Sequence, residues 1–201
     1  MNPPRIVVSG MGVISAAGTN IAETLKCFES GAQNTCKVNI FETSLDQPVF
    51  EVRHIPKDRV GEQMRTLRLA MHATKDAMAD ACFDHFPNAN RVGVCMGTTV
   101  ACQLNDIDFY GSYRKTKSAP MGSVDRYLKG NVSQAVATAI GAKGPSLTVA
   151  NACSSGADAI GVAFTWLRTG ICDIAVAGGA DELSRIPLCG FNALGIISDE
   201  P

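Results

Sequence analysis

The sequence predicts an α/β fold, a mostly parallel sheet with helices on both faces. Three features predict it. Short strand-like runs alternate with helix-like segments along the chain. The strand-like runs are continuously apolar, as strands covered on both faces are. Glycine-bearing turns close most of them. No linker, low-complexity tract or internal repeat interrupts the order, so residues 1–201 are read as one domain.

The elements follow in chain order. Arg5-Ile-Val-Val-Ser9 is β-branched and ends at Gly10, which reads as a buried strand. Asn20 caps a helix to about Ser30, stopped by Gly31. Pro48 to Arg53 reads as a weak strand. From Glu62 to Cys82 the residues Met64, Leu67, Met71, Met78 and Cys82 recur near helical spacing. Arg65, Arg68, His72 and Asp76 take the opposite face, so this is an amphipathic helix. Arg91 to Met96 is another buried strand, closed by Gly97. A helix follows at about Val100 to Tyr110, and residues 111–130 read as irregular. Asn131 caps a small-residue helix through Ile140, broken by Gly141 and by Gly144-Pro145. Leu147 to Ala150 is a strand, and Ser155 to Arg168 a long apolar helix. Asp173 to Ala177 is the last clear strand, closed by Gly178-Gly179.

Composition narrows the function. The 201 residues are 46% hydrophobic and 18% charged with 19 Gly, which excludes a disordered or collagen-like chain. Eighteen Lys+Arg face 19 Asp+Glu, a formal net charge of −1, so no general basic field invites nucleic acid. The longest apolar run, Ile160 to Leu167, is far shorter than the roughly 20 residues of a membrane span. Residues Met1 to Ser9 are too short and polar for a secretion signal, and a cytoplasmic location is expected. The eight cysteines include no C-x-x-C pair, which argues against a disulfide framework. Most read as small buried hydrophobes. The histidines at 54, 72 and 85 are scattered, and no metal site is expected.

The sharpest local feature is Asn151-Ala-Cys-Ser-Ser-Gly156, which joins a buried strand directly to a helix. Such a turn lifts a side chain to the carboxyl edge of the sheet, where open α/β folds keep their ligands. Cys153 then stands at a helix N-terminus. The free N–H groups and positive helix end there favour an anion, and so a thiolate. The Cys153 N–H is also placed to face a developing oxyanion. The competing reading is a structural cysteine buried in a tight turn, and spacing alone weighs the two equally. Gly10-Met-Gly12 looks like a dinucleotide fingerprint, but Ser15 stands where the third Gly belongs and no acidic residue closes a second strand. No cofactor is expected. The stretch Tyr113 to Lys129 carries Arg114, Lys115, Lys117, Arg126 and Lys129 against Asp125 alone, and Arg65 and Arg68 make a second basic spot. The default reading is a solvated surface, and the functional one a docking patch for an acidic partner.

Together these motifs resemble a known family. Arg5-Ile-Val-Val-Ser-Gly-Met-Gly-Val-Ile-Ser15 resembles the opening of the elongating β-ketoacyl-[acyl-carrier-protein] synthases, the 3-oxoacyl-ACP synthases of the thiolase-like superfamily. Gly144 to Gly156 resembles their nucleophile segment, and Ala177-Gly-Gly-Ala-Asp181 the strand end that follows. Gly190-Phe191 with Ser198 resembles the next block. The order and spacing match along essentially the whole chain.

The resemblance implies a thiolase-like fold, with this chain as one αβα half of a five-layer αβαβα architecture. It implies that Cys153 accepts an acyl group from an acyl-carrier-protein thioester. Malonyl-ACP then loses CO₂ and attacks that thioester, giving 3-oxoacyl-ACP in fatty acid or polyketide synthesis. Acyl carrier protein becomes the expected partner, docking at Arg65, Arg68, Arg114, Lys115 and Lys117. A homodimer is expected, with the strand Leu147 to Ala150 at its interface. The family is about twice this length, and its second half supplies two histidines, a lysine and a second oxyanion N–H. No such motif occurs in these 201 residues, so the chain is expected to be the N-terminal half, acylated but unable to condense. Two departures touch the substrate. Ser123 to Gly130 carries charges where the family has an apolar, proline-bearing loop, and Asn151 replaces the usual threonine. The alternatives are a non-catalytic partner resembling chain-length factors, and a thiolase acting on coenzyme A thioesters.

Overall fold

The computed structural model describes residues 5–55, 64–86, 88–99, 107–121 and 131–200. In chain order its elements are α1 (Ile21–Ser30), α2 (Arg65–Asp80), β1 (Val92–Gly97), α3 (Ile107–Thr116), α4 (Val132–Ile140), β2 (Ser146–Val149), α5 (Ser155–Arg168), β3 (Ile174–Gly179) and α6 (Arg185–Ala193). The strands pair in parallel in the order β2-β1-β3. In this register Val94 faces Ser146 on one side and Val176 on the other.

β1 takes the middle place, which explains its continuously apolar sequence. Each of its residues is buried. Alternate side chains leave a strand on opposite faces. Val92, Val94 and Met96 therefore meet Ala70 and Met71 of α2 and Val132, Val136 and Ala137 of α4. Cys95 meets Ala159 and Ala163 of α5 on the other face. Gly93 is small for the same reason, since a Cβ there would stand 3.0 Å from the Trp166 ring. Burying a side chain the size of Val94 contributes about 1.5–3 kcal/mol.

Polar side chains set the helix ends. The Asn20 side chain accepts from the Glu23 N–H at 2.9 Å, while the Glu23 carboxylate accepts from the Thr19 N–H at 2.7 Å. This reciprocal box starts α1, and Gly31 in the left-handed region ends it. Asn131 and Gly141 do the same for α4. Ser133, on α4 and fully buried, ties that helix to two strands. Its hydroxyl donates to the Leu147 carbonyl at 2.6 Å and accepts from the Met96 N–H at 2.9 Å. Ser133→Ala strands both backbone groups. A urea titration is expected to show a loss of about 1–3 kcal/mol with an unchanged slope. At the amino ends of the strands, Arg91 forks onto both Asp173 oxygens at 3.0 and 2.6 Å and onto the Ile171 and Gly170 carbonyls.

Several expected elements differ. Residues 5–9 form no strand, and Val7 and Val8 are 63% and 80% exposed. β-branched residues favour an extended backbone but supply no partner, and among the described residues nothing pairs with this one. The segment lies instead on α2. A Cβ on Gly10 or Gly12 would come within 2.2 Å of the Ala77 carbonyl oxygen or 2.0 Å of the Ala73 one. The stretch 48–53 makes only an isolated bridge between Val49 and Cys36. α2 buries Thr66, Leu69, Ala70, Met71 and Thr74, where Leu67 and Met78 were expected to lead. Helix α3 runs to Thr116, through residues read as irregular. α6 was not foreseen in the sequence. Pro187 falls in the first turn, where a missing N–H costs the helix no bond. Residues 56–63, 100–106 and 122–130, with Cys102, Arg126, Lys129 and the 123–130 loop, lie outside the described residues.

Candidate functional site

The segment Asn151 to Gly156 sits where the carboxyl ends of the strands meet the start of α5. β2 ends at Val149, a 3₁₀ turn spans Ala152–Ser154, and α5 begins at Ser155. Cys153 is exposed in that turn. The residue before it, Ala152, has φ of 49°, a left-handed conformation that costs a non-glycine residue on the order of 1–3 kcal/mol. The positive-φ residues Cys82 and Lys117 stand just after helix ends, whereas Ala152 turns the chain sharply so that Cys153 projects. The reading of Cys153 as a buried structural cysteine does not fit this exposure.

The turn is held from below by Ser155, which is buried. Its hydroxyl accepts from the Asn151 N–H at 2.7 Å and lies 2.8 Å from the Ala152 carbonyl and 3.3 Å from that of Thr98. Close backbone contact fixes the height of α5 over the sheet. A Cβ on Gly97 would lie 2.2 Å from the Ser155 backbone, and Gly156 and Gly179 meet edge to edge. The neighbouring strand ends are locked together as well. Asp181, just past β3, accepts from the Thr98 hydroxyl at 2.8 Å and the Thr99 N–H at 2.9 Å. The Thr99 hydroxyl reaches the Ala152 carbonyl at 3.4 Å.

A polar clasp flanks Cys153. The Asn151 amide donates to the Ser154 hydroxyl at 2.9 Å and to the Asp158 carboxylate at 2.8 Å. The Ser154 hydroxyl donates to the same Asp158 oxygen at 2.8 Å. These bonds, Asn151 first, hold the Asp158 carboxyl below its ordinary value of 3.8. A carboxyl with a depressed folded-state pKa contributes stability that is fully present above its ordinary value. That contribution is lost as pH falls through the depressed one. An NMR titration is expected to place the Asp158 midpoint below 3.8, and Asn151→Ala to move it back up.

Asp158, Thr98 and Thr99 went unnoticed in the sequence, and Ser155 and Asp181 stood in quoted motifs without a role at the site. Thr98-Thr99 and Asp181 directly follow strands, and parallel strands bring such residues to one edge. That signal would have found them.

The structure divides the other candidates. Cys95 and Cys172 are buried, and burial pushes both thiols up. Cys27 and Cys36 are half-buried, and Cys82 and Cys189 exposed, so fewer cysteines are core residues than expected. Arg114, Lys115 and Lys117 are exposed at and just after the end of α3. Arg65 and Arg68 are half-buried, and their guanidinium groups donate to the Val52 and Ile55 carbonyls. His72 donates from Nε2 to the Thr19 carbonyl, 2.7 Å away, and does not approach Cys153 through any described contact. Among the described residues no His, Cys, Asp and Glu gather to hold a metal ion. No helix among them is long and apolar enough to cross a membrane.

Comparison with known proteins agrees with the geometry. Residues 29–201 match the family "Beta-ketoacyl synthase, N-terminal domain". The chain is 25% identical to 3-oxoacyl-[acyl-carrier-protein] synthase 1 of Buchnera aphidicola, over 96% of this chain and 51% of that protein. It is 26% identical to the tetracenomycin polyketide synthase ketoacyl synthase alpha subunit of Streptomyces glaucescens, over 98% and 51%. The chain thus spans about half the length of these curated relatives. Among solved structures, the ishigamide ketosynthase/chain length factor superposes with a TM-score of 0.82 at 24% identity, over 99% of this chain and 53% of that one. A type II PKS acyl-carrier protein in complex with its ketosynthase superposes with a TM-score of 0.80 at 24% identity, over 100% and 51%. The fold is therefore the thiolase-like one of the ketosynthases.

Proposed function

Because the chain belongs to the β-ketoacyl synthase family through its N-terminal domain, we propose that it is the acyl-accepting half of a condensing enzyme, with Cys153 as nucleophile. One observation carries this reading. Cys153 is an exposed thiol on a strained turn between β2 and α5, at the carboxyl edge of the sheet. Strain of this kind gathers where a side chain is aimed for chemistry.

The sulfur of Cys153 attacks the carbonyl carbon of an acyl thioester. A carbon–sulfur bond forms to Cys153, the bond to the donor thiol breaks, and the donor leaves with the proton that Cys153 gave up. The oxyanion that develops between these events faces the Cys153 N–H. In the complete reaction malonyl-ACP loses CO₂, its carbanion attacks the Cys153 thioester, and 3-oxoacyl-ACP departs as the cysteine regains its proton. That second step uses groups outside these 201 residues, so the chain alone takes up acyl groups without forming 3-oxoacyl product.

The donor proposed is an acyl carrier protein, as the relatives' names support. Arg114, Lys115 and Lys117 offer it exposed cations, Lys117 over the Tyr113 ring, while Arg65 and Arg68 also brace the chain's own 52–55 segment. Reversing Arg114 and Lys115 to Glu is expected to slow acylation by acyl-ACP roughly tenfold at low salt, and less at high salt. The β2 edge, with Leu147 exposed, is the proposed homodimer contact.

The test is mass spectrometry after exposure to acyl-ACP and acyl-coenzyme A. A single acyl adduct on Cys153, formed faster from acyl-ACP, is the expected result. Preference for the coenzyme A donor would favour a thiolase. No adduct from either would favour a chain-length-factor-like partner.

A further inference from the structure

We propose that Asp158 is the positioning residue of the nucleophile turn. One of its carboxylate oxygens grips Asn151 and Ser154, the residues on either side of the Ala152-Cys153 pair, and so holds the turn in the form that aims the thiol. This role rests on reading Cys153 as the nucleophile.

The grip converges on a single atom. The Asn151 amide and the Ser154 hydroxyl both donate to Oδ2 of Asp158, each at 2.8 Å. The Asn151 amide also donates to the Ser154 hydroxyl at 2.9 Å, which closes a three-sided network. Spacing permits it. Asp158 follows Ser154 by four residues, which puts both on one face of the helix start, and Asn151 precedes Ser154 by three. Cys153 lies inside the gripped segment and takes no part in these bonds, and it stays exposed.

Helix stability does not account for this arrangement. Ser154 is the N-cap residue of α5, a place where serine normally accepts from a first-turn N–H. It makes no such bond. Its hydroxyl lies instead between Asp158 and the Asn151 carbonyl, 3.1 Å away. A cap worth about 1 kcal/mol is thus set aside for a contact that shapes the turn. Local rules are broken in this way where function requires it.

The turn needs a second hold because it is strained. Ala152 is left-handed, and a non-glycine residue stays so only where its surroundings overdetermine it. The buried Ser155 hydroxyl supplies one hold, on the Asn151 N–H and the Ala152 carbonyl. Asp158 supplies the other, through the exposed Asn151 and Ser154 side chains.

The test compares Asp158→Ala and Asp158→Asn with the parent chain. Asparagine offers one amide oxygen that can take the place of Oδ2 and accept both bonds, and alanine offers none. Single-turnover acylation by acyl-ACP at saturating donor is expected to fall roughly 10- to 100-fold in Asp158→Ala, with the half-saturating donor concentration unchanged. Asp158→Asn is expected to recover most of that loss. Alkylation of Cys153 by iodoacetamide, read by peptide mass spectrometry, is expected to be the same in all three chains, since a small reagent makes little demand on orientation.

Amide hydrogen exchange gives a readout that needs no acyl donor. The amides of Asn151, Ser154 and Ser155 are all bonded within the turn. They are expected to exchange at least about tenfold faster in Asp158→Ala than in the parent, and to stay slow in Asp158→Asn. Acylation at the parent rate in Asp158→Ala would overturn the proposal, as would unchanged exchange of these amides. An Asp158→Asn chain as slow to acylate as Asp158→Ala would overturn it too, because the shared oxygen would then not be what matters. A parent chain that takes up no acyl group would count against Cys153 alone, and the exchange rates would still decide the grip.

Discussion

Cys153→Ala is expected to leave the chain folded and unable to accept an acyl group. The side chain is exposed, so its loss removes almost no packing. The left-handed Ala152 and the Ser155 hydrogen bonds that shape the turn do not involve the sulfur. The melting temperature should therefore stay within a degree or two of the parent, since surface changes of this kind stay within about 0.5 kcal/mol. Acylation should vanish in the intact-mass spectrum, because among the described residues no second thiol is presented at the strand ends. Cys95 and Cys172 are buried with thiols pushed up, and are inert. Cys82 and Cys189 are exposed but stand away from the turn in sequence, and serve as internal controls. An adduct of undiminished yield in Cys153→Ala would remove Cys153 from the mechanism.

Gly97→Ala is expected to fold and yet lose most of the acylation rate. The new methyl group would lie 2.2 Å from the carbonyl carbon and oxygen of Ser155, and 2.4 Å from the Gly156 nitrogen. Those atoms are backbone and cannot rotate away. Either β1 or the start of α5 must move, and overpacking of this kind costs typically 1–3 kcal/mol. The displacement falls on the turn that carries Cys153. A shift near 1 Å in a reacting group costs about 10²-fold in rate. Acylation measured at saturating donor should fall by about that factor, with a smaller fall in stability. Gly161→Ala on α5 is the matched control, since open space surrounds that position and a methyl group there clashes with nothing. It should leave the rate unchanged and stabilise the helix by about 0.5–1 kcal/mol.

Features governed by neighbouring residues were legible in the sequence. Asn20 with Gly31, and Asn131 with Gly141, bracket α1 and α4 as expected, because caps are local hydrogen bonds. The apolar runs at β1, β2 and β3 read correctly because helices cover both faces of the sheet. The setting of Cys153, between a strand and a helix start, was legible for the same local reason.

What depends on distant parts of the chain was not. Residues 5–9 have strand composition, but whether a strand forms depends on a partner. α2 was misjudged because its contacts are made by small residues. Ala73 and Ala77 receive Gly10 and Gly12, and Thr66 and Thr74 are buried, so spacing of the large apolar residues points elsewhere. The grip of Asp181 on Thr98 and Thr99 joins residues more than 80 positions apart. No sequence window holds both.

The Arg91 fork gives the sheet two ends of different character. It fastens the amino ends of β1 and β3 through Asp173 and two carbonyls. Cys153 stands at the opposite end, about one strand length away, roughly 20 Å. Sites so far apart perturb stability independently. The fold can therefore be hardened at one pole while the chemistry is retuned at the other, and neither adjustment constrains the other.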